Sequence, residues 1–153
     1  MTGTGGQEIL TEKLREEAHM DNIVVGYDGS KSARRALEQV AELARNGTTV
    51  TVVSAPPVRF TSLGAQAPGR EEIAELEREV AEARALLEKR GVEASGVVKP
   101  GIPAGVILEE AGRRGADLIV VGTGRKKVAE RLILGSVSDE VLHHAACSVL
   151  VVR

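Results

Sequence analysis

Small and polar residues cluster directly after two aliphatic segments, where they could bind a phosphorylated ligand. One cluster is Gly26, Tyr27 and Asp28, followed by Gly29 and Ser30; the other is Gly122, Thr123, Gly124 and Arg125, followed by Lys126 and Lys127. Glycines let a backbone approach an anion closely, and the amides of such a loop can cradle a phosphate. The Asp28 carboxylate is an acceptor that could hold a ribose hydroxyl or a phosphate-bound Mg²⁺.

A third segment has the composition of a helix start that binds anions. After Leu134 come Gly135, Ser136, Val137 and Ser138. A helix N-terminus offers unpaired amides and the positive end of the helix dipole, and both suit a phosphate. Gly135 would let the backbone come close, and the two serine hydroxyls could donate further hydrogen bonds. Taken alone, Ser136 is equally an ordinary helix cap and Asp28-Gly29 an ordinary turn.

The rest of the sequence alternates between strand-like and helix-like segments. Short aliphatic or β-branched runs predict strands near residues 23–26, 49–54, 92–98, 118–121 and 149–152. Helical spacing of apolar residues predicts helices near 31–45, capped by Ser30, and near 70–90, 103–114 and 136–144. Residues 55–69, rich in Pro and Gly, are expected to form a long loop. Such alternation predicts a doubly wound α/β sandwich with a five-stranded parallel sheet and helices on both faces.

The predicted fold brings the polar clusters to one place. In a sheet of this kind, ligands bind beyond the carboxyl ends of the strands, where the strand order reverses. The clusters after the first and fourth strands both fall at that edge, and the helix that begins near Ser136 follows the fourth strand. Their combination therefore favours a nucleotide site over a separate turn and cap.

Composition and missing motifs exclude several other functions. The chain has 20 basic and 22 acidic residues, one Tyr, one Phe and no Trp, so it lacks the basic excess and the stacking aromatics of a nucleic-acid binder. It has no P-loop, no Gly-x-Gly-x-x-Gly after the first strand, and no Ser/His/Asp set that can be ordered for catalysis. Cys147 is the single cysteine, which precludes an internal disulfide and a cysteine-rich zinc site. We expect no catalytic residues and no protein-only metal site.

The first residues differ from the remainder. Residues 1–19 are expected to be an N-terminal extension, helical from about 7 to 18, which is either solvated or docks on a partner or on the domain. Residues 20–153 are expected to form the α/β domain. Because no apolar run reaches the roughly 20 residues of a membrane span and the start lacks a secretory signal, we expect a cytoplasmic protein with neither a membrane nor a nucleic-acid partner.

Three segments resemble the universal stress protein family. They are residues 22–30 (Asn-Ile-Val-Val-Gly-Tyr-Asp-Gly-Ser), 116–123 (Ala-Asp-Leu-Ile-Val-Val-Gly-Thr) and 134–153, which begins Leu-Gly-Ser-Val-Ser. Their order and spacing agree with the family over residues 20–153. The resemblance implies strand order 3-2-1-4-5, a homodimer formed through the last strand (Val149 to Val152), and a nucleotide-binding regulator of stress survival with little or no catalysis.

The resemblance also implies roles for individual residues. The ATP-binding branch of the family carries Gly-x₂-Gly-x₉-Gly-Ser/Thr after the fourth strand; Gly122 and Gly135-Ser136 match it, whereas the second glycine falls on Arg125. By resemblance, Asp28 lies near the ribose and phosphate, Gly26 and Tyr27 line the same loop, and the backbone of Ala55 contacts the adenine edge. The implied phosphate and ribose loop comprises Gly122, Arg125, Gly135, Ser136 and Val137.

Three functions are consistent with these residues. The first is ATP binding with Mg²⁺, in which the nucleotide acts as a conformational ligand that orders residues 122–135 and 55–69 and changes the surface a partner meets. The second is an interaction protein that does not bind ATP and docks a client through the altered loop at Arg125 or the N-terminal helix. The third is a slow ATP hydrolase, for which Asp28 is the one candidate base.

Overall fold

The computed structural model describes residues 20–124 and 134–153. In chain order, the strands are β1 (Asn22–Gly26), β2 (Thr49–Ser54), β3 (Arg59–Thr61), β4 (Gly64–Gln66), β5 (Glu93–Val98), β6 (Leu118–Gly122) and β7 (Ser148–Val152). The helices are α1 (Lys31–Leu43), α2 (Arg70–Lys89), α3 (Pro103–Arg114) and α4 (Ser136–His144). The helix predicted over residues 7–18 and the altered loop position Arg125 lie outside the described residues.

The central sheet is parallel and has the order β5-β2-β1-β6-β7. Counting only its own strands along the chain, this is the predicted order 3-2-1-4-5, so the fold-class prediction is confirmed. The chain moves outward from β1 through β2 to β5, then returns to place β6 on the other side of β1. The strand order therefore reverses between β1 and β6, which is where a ligand crevice opens in such sheets.

Helices cover both faces of this sheet. On one face, alternate strand residues such as Val25 and Val52 pack with Leu37 of α1 and Leu87 of α2. On the other face, their neighbours, Val24 among them, pack with residues of α3 and α4. Because side chains alternate across a strand and both faces are buried, β1 and β6 are nearly continuous aliphatic runs rather than apolar-polar alternations.

The segment predicted as a plain loop contains a small hairpin. Within residues 55–69, β3 and β4 pair antiparallel, with Phe60 opposite Ala65. The Thr61 hydroxyl accepts from Leu63 N (3.2 Å) and donates to Gly64 O (3.2 Å), and Gly64 has a φ of 111°. The prediction of a loop without strands was wrong. The sequence does not reveal the two strands, because all of their residues are exposed and no alternation of buried and exposed positions arises.

The N-termini of two helices lie at the edge of the sheet where a ligand would bind. Ser30 caps α1 as predicted, since its Oγ accepts from Ala33 N at 3.1 Å. The alternative in which Ser136 caps α4 is wrong, because Gly135 occupies the cap and Ser136 is the first helical residue. Ser138 lies in the first turn of the helix, and its hydroxyl donates back to Gly135 O at 2.9 Å.

Candidate functional site

A cleft of about 570 Å³ lies beyond the carboxyl ends of β1 and β6. It is bounded by the turn after β1, the segment after β2, the loop after β6, the start of α4 and one side of α2. The structure brings together in its lining all the predicted site residues except Arg125, which lies outside the described residues. They are Gly26, Tyr27, Asp28, Ala55, Gly122, Thr123, Gly124, Gly135, Ser136, Val137 and Ser138.

Gly122 ends β6 against the backbone of α1. A Cβ at this position would lie 2.6 Å from Ser32 Oγ and 2.8 Å from Ala33 N. Real Cβ atoms do not come so close to other atoms. Only a glycine at residue 122 therefore lets α1 pack on the end of β6. Gly122 therefore has a structural task in addition to the role that its motif position implies.

Two buried serines connect the two loops of the cleft. Gly124 N donates to Ser32 Oγ (3.1 Å), and Ser32 Oγ donates to Gly124 O (3.3 Å). Ser30 and Ser32 hydroxyls lie 3.1 Å apart. Because the Ser32 proton goes to Gly124, the Ser30 hydroxyl is the donor of that pair. This chain fastens the loop after β6 to the turn after β1, and sequence reasoning missed Ser32; the available signal was a polar residue next to the buried face of α1.

Asp28 forms a turn directly at the cleft. Its side chain is exposed, and Oδ1 accepts a hydrogen bond from Ser30 N at 2.9 Å. Tyr27 before it is half-buried against the core, and its amide donates to Val53 O at 2.8 Å. The carboxylate is thus held at a fixed place by a local turn, at the mouth of the cleft rather than in the core.

The start of α4 presents its first-turn amides to the cleft. Gly135 packs so closely on the carbonyl of Thr123 that an added Cβ would overlap this oxygen. The amides of a first helical turn have no partner within the helix, so those of Ser136 and Val137 can bind an anion. Ser138 is fully buried and its proton is already donated to Gly135 O, so its hydroxyl fastens the cap and cannot at the same time donate to a ligand.

Helix α2 forms a wall of the cleft that the sequence did not reveal. Three of its glutamates, Glu72, Glu75 and Glu79, line the cleft together with Leu76. Their spacing of three and four residues places them in one stripe of the helix. That stripe borders the buried residue Val80, and this adjacency was the only sequence signal available.

The cleft is electrically polarised. The three α2 carboxylates and Asp28 lie in its lining, and among the lining residues that the structure describes there is no lysine or arginine. The amides of the α4 start provide the positive end. Such a cleft suits a ligand that has an anionic group at one end and neutral hydrogen-bond donors at the other, as a nucleotide has.

The side chains available as ligands also limit the kind of metal ion that the cleft could hold. Over residues 20–124 and 134–153, no three His, Cys, Asp or Glu side chains are grouped closely enough to hold an ion. A Mg²⁺ ion commonly binds to one or two carboxylates together with substrate phosphates. Asp28, at the mouth of the cleft, fits that mode, in which the ion arrives with the phosphorylated ligand.

Comparison with known proteins gives one consistent result. The sequence profile of the Universal stress protein family matches residues 19–153. A universal stress protein of Methanocaldococcus jannaschii is 35% identical over 155 residues, spanning 95% of this chain and 89% of the relative. Among solved structures, a universal stress protein from Archaeoglobus fulgidus superposes with a TM-score of 0.73 at 29% identity, covering 86% of this chain and 98% of its own. Another from that organism, in complex with dAMP, has a TM-score of 0.70 at 27% identity, covering 89% and 99%.

None of the helices in the described ranges combines the length and apolarity needed to cross a membrane. The longest, α2, carries acidic residues along its exposed face.

Proposed function

The chain belongs to the universal stress protein family, and from that premise we propose that it binds ATP with Mg²⁺ in the cleft between β1 and β6. The nucleotide acts mainly as a conformational ligand in a stress response of the cytoplasm, and the protein works as a homodimer. One observation carries the proposal: the turn after β1, the loop after β6 and the first turn of α4 meet at the reversal of strand order.

Each part of ATP has a matching part of the lining. The phosphates face the amides of Ser136 and Val137, where the helix dipole is positive. The adenine lies against Ala55 and the prolines that follow it, held by backbone and aliphatic contacts in a chain without Trp. Asp28 faces the ribose or a phosphate-bound Mg²⁺, which when bound supplies positive charge beside the phosphates.

A solved relative supports a nucleotide as the ligand. The Archaeoglobus fulgidus universal stress protein that is similar over 89% of this chain was solved in complex with dAMP. A nucleotide in the cleft of this chain would meet amides at one end and carboxylates at the other. The choice of ATP among nucleotides rests on the Gly122 and Gly135-Ser136 pattern of the ATP-binding branch.

The structure of the loops supports a conformational role. Gly124 is fastened to α1 through Ser32, and Arg59 of the hairpin lies 3.5 Å from Glu72 of the cleft wall. A ligand that contacts both walls would favour one arrangement of loop and hairpin over others. The ligand can shift the equilibrium between these arrangements only by as much as its affinities for them differ.

The edge strand β7 supports the homodimer. Val149, Leu150, Val151 and Val152 are only half-buried in the described chain, and β7 pairs with β6 alone. An apolar edge with unpaired backbone groups invites pairing with another chain. A second copy placed along β7 would cover both the edge and these side chains.

Thermal unfolding tests the nucleotide proposal. A ligand that binds the folded state raises its stability, by about 2.7 kcal/mol when its concentration is one hundred times Kd. We expect ATP with Mg²⁺ to raise the Tm, and we expect protein purified without added nucleotide to carry excess absorbance at 260 nm. An unchanged Tm at millimolar ATP would contradict the proposal.

A second candidate is an interaction protein that binds a client without ATP. The β3–β4 hairpin favours it, because Phe60 in β3 is 77% exposed and Leu63 in the turn is 93% exposed. Contiguous exposed apolar surface marks sites of protein–protein contact, and this candidate requires the two side chains to form such a patch. Nucleotide that co-purifies with the protein would count against this candidate.

A further inference from the structure

The Glu79 carboxylate packs against the turn that carries Asp28. A Cβ on Gly29 would lie 2.8 Å from Glu79 Oε2 and 3.3 Å from Oε1, and Gly29 has a φ of 74°. Only a glycine readily adopts this φ, and only a residue without a side chain leaves room for the carboxylate. Glu79 of α2 is therefore seated beside Asp28, at the edge of the cleft that both residues line.

One oxygen of this carboxylate has no hydrogen-bond partner. Glu79 Oε2 is buried, and no group in residues 20–124 or 134–153 donates to it. Glu110 provides an internal comparison: its side chain is 4% exposed, and its two oxygens accept from Arg113 (3.2 Å) and Arg114 (3.1 Å). Buried carboxylate oxygens are normally paired in this way. An unpaired one in a ligand cleft indicates a donor that arrives with the ligand.

The chemistry of the cleft selects the kind of donor. A phosphate is repelled from the Glu79 oxygen because both are negatively charged, whereas the amides of α4 attract it elsewhere. The proposed function puts the base against Ala55 and the prolines after it, and the hairpin that follows these prolines reaches Glu72 of α2 through Arg59 (3.5 Å). Glu72 lies about 10 Å from Glu79 along the helix axis, since each residue adds about 1.5 Å. The remaining donors of a nucleotide are the hydroxyls of its ribose.

We propose that Glu79 is a specificity-determining residue that accepts a hydrogen bond from a ribose hydroxyl of the bound nucleotide. The inference rests on the proposed function, since it names the part of that ligand which α2 recognises. It predicts a preference for nucleotides that carry this hydroxyl over analogues that lack it. Because the Glu79 carboxylate packs against Gly29, α2 and the turn after β1 would both contact the ribose.

Titration calorimetry with ATP, 2′-deoxyATP and 3′-deoxyATP, each with Mg²⁺, tests this inference. Hydrogen bonds to charged groups are strong enough that one deoxy analogue should bind the wild-type protein about tenfold more weakly than ATP. In Glu79→Gln the acceptor is neutral, and the ratio should fall to about threefold or less. Glu82→Gln is the matched control, because Glu82 is an exposed acid one turn further along α2; it should keep the wild-type ratio. The ratio is used because the nucleotides carry equal charges, so a general change in phosphate affinity cancels.

The outcomes separate this inference from the proposed function. Equal affinity of the wild-type protein for all three nucleotides would overturn the role of Glu79 and leave ATP binding intact. If folded Glu79→Gln keeps the wild-type ratio of ATP affinity to deoxy-analogue affinity, another residue discriminates between the nucleotides, and the role of Glu79 is overturned. If none of the nucleotides binds, both the proposed function and this inference fail. The wild-type comparison requires no variant, so it stands even if Glu79→Gln does not fold.

Discussion

Ser32 Oγ bonds to both backbone groups of Gly124, accepting from its amide at 3.1 Å and donating to its carbonyl at 3.3 Å. The two residues are far apart in the sequence, on α1 and on the loop after β6. Gly124 stands in a left-handed conformation with a φ of 95°. The position of the glycine loop is therefore set by a side chain of the first helix.

Removing this hydroxyl should weaken the protein and its site together. In Ser32→Ala the Gly124 amide loses its partner at a part-buried place, and we expect the free energy of unfolding to fall by about 2 kcal/mol. Nucleotide affinity should fall as well, because the loop loses its attachment to α1. Chemical denaturation and calorimetry measure the two effects. Ser62→Ala, at the exposed hairpin tip, is the control; equal behaviour of both variants would show that the Ser32 bond contributes nothing.

Gly122 and Gly112 should respond in opposite ways to the same substitution. In Gly122→Ala the new Cβ meets the α1 backbone, with Ser32 C at 2.7 Å, so we expect a loss of at least about 2 kcal/mol in the free energy of unfolding. Gly112 lies in α3 with nothing within 4 Å of its Cβ position. There alanine should raise stability by up to about 1 kcal/mol. Urea unfolding compares them, and a harmless Gly122→Ala would refute the close packing of α1 on β6.

Cys147 should react slowly with thiol reagents in the folded protein. Burial raises the pKa of its thiol, and the negative charge of Asp117 raises it further. Since the thiolate is the reactive form, the folded protein should be labelled more slowly than the urea-unfolded chain near pH 8, and the rate should still increase above the pH where an ordinary thiol levels off. The thiol loses its proton at a lower pH in the unfolded chain than in the folded protein. This group therefore makes the free energy of unfolding decrease as pH rises through the range between the two pKa values. Equal labelling rates in both states would contradict this account.

The edge of β7 should determine the oligomeric state. In Val151→Lys a charge is introduced at a half-buried position of the edge strand, and lysines on edge strands oppose pairing. We expect the wild-type protein to have the mass of a dimer and the variant that of a monomer by light scattering coupled to size exclusion. Circular dichroism would verify that the variant is folded. A monomeric wild-type protein would rule out the homodimer.

The sequence predicts well those features that depend on buried, repeated patterns. The aliphatic runs that became β1, β6 and β7 are recognisable because they have no polar alternation, as is typical of parallel strands, and β2 is recognisable by its β-branched residues. The small residues after β1 and β6 are recognisable because both clusters follow such runs. The strand order could then be inferred by resemblance, and with it the edge at which the clusters meet.

The features that were missed depend on contacts between distant segments. The Ser32–Gly124 bonds and the Glu79–Gly29 contact join residues whose proximity exists only once the sheet has formed. Glu79 has the composition of a solvated helix face, and its position beside the apolar Val80 is matched by that of Glu82 beside Ala83. The β3–β4 hairpin was missed for a different reason, since its exposed strands have no buried side to produce a pattern.

The most direct test of ATP binding is titration calorimetry of the wild-type protein with ATP and Mg²⁺, alongside Gly135→Val and Gly112→Ala. Because a side chain at residue 135 would overlap Thr123 O and displace the start of α4, Gly135→Val should weaken binding by at least about tenfold, equivalent to 1.4 kcal/mol. Gly112→Ala should bind as the wild-type protein does. Saturable binding with this pattern is the result we predict; no binding by the wild-type protein at millimolar ATP would contradict it.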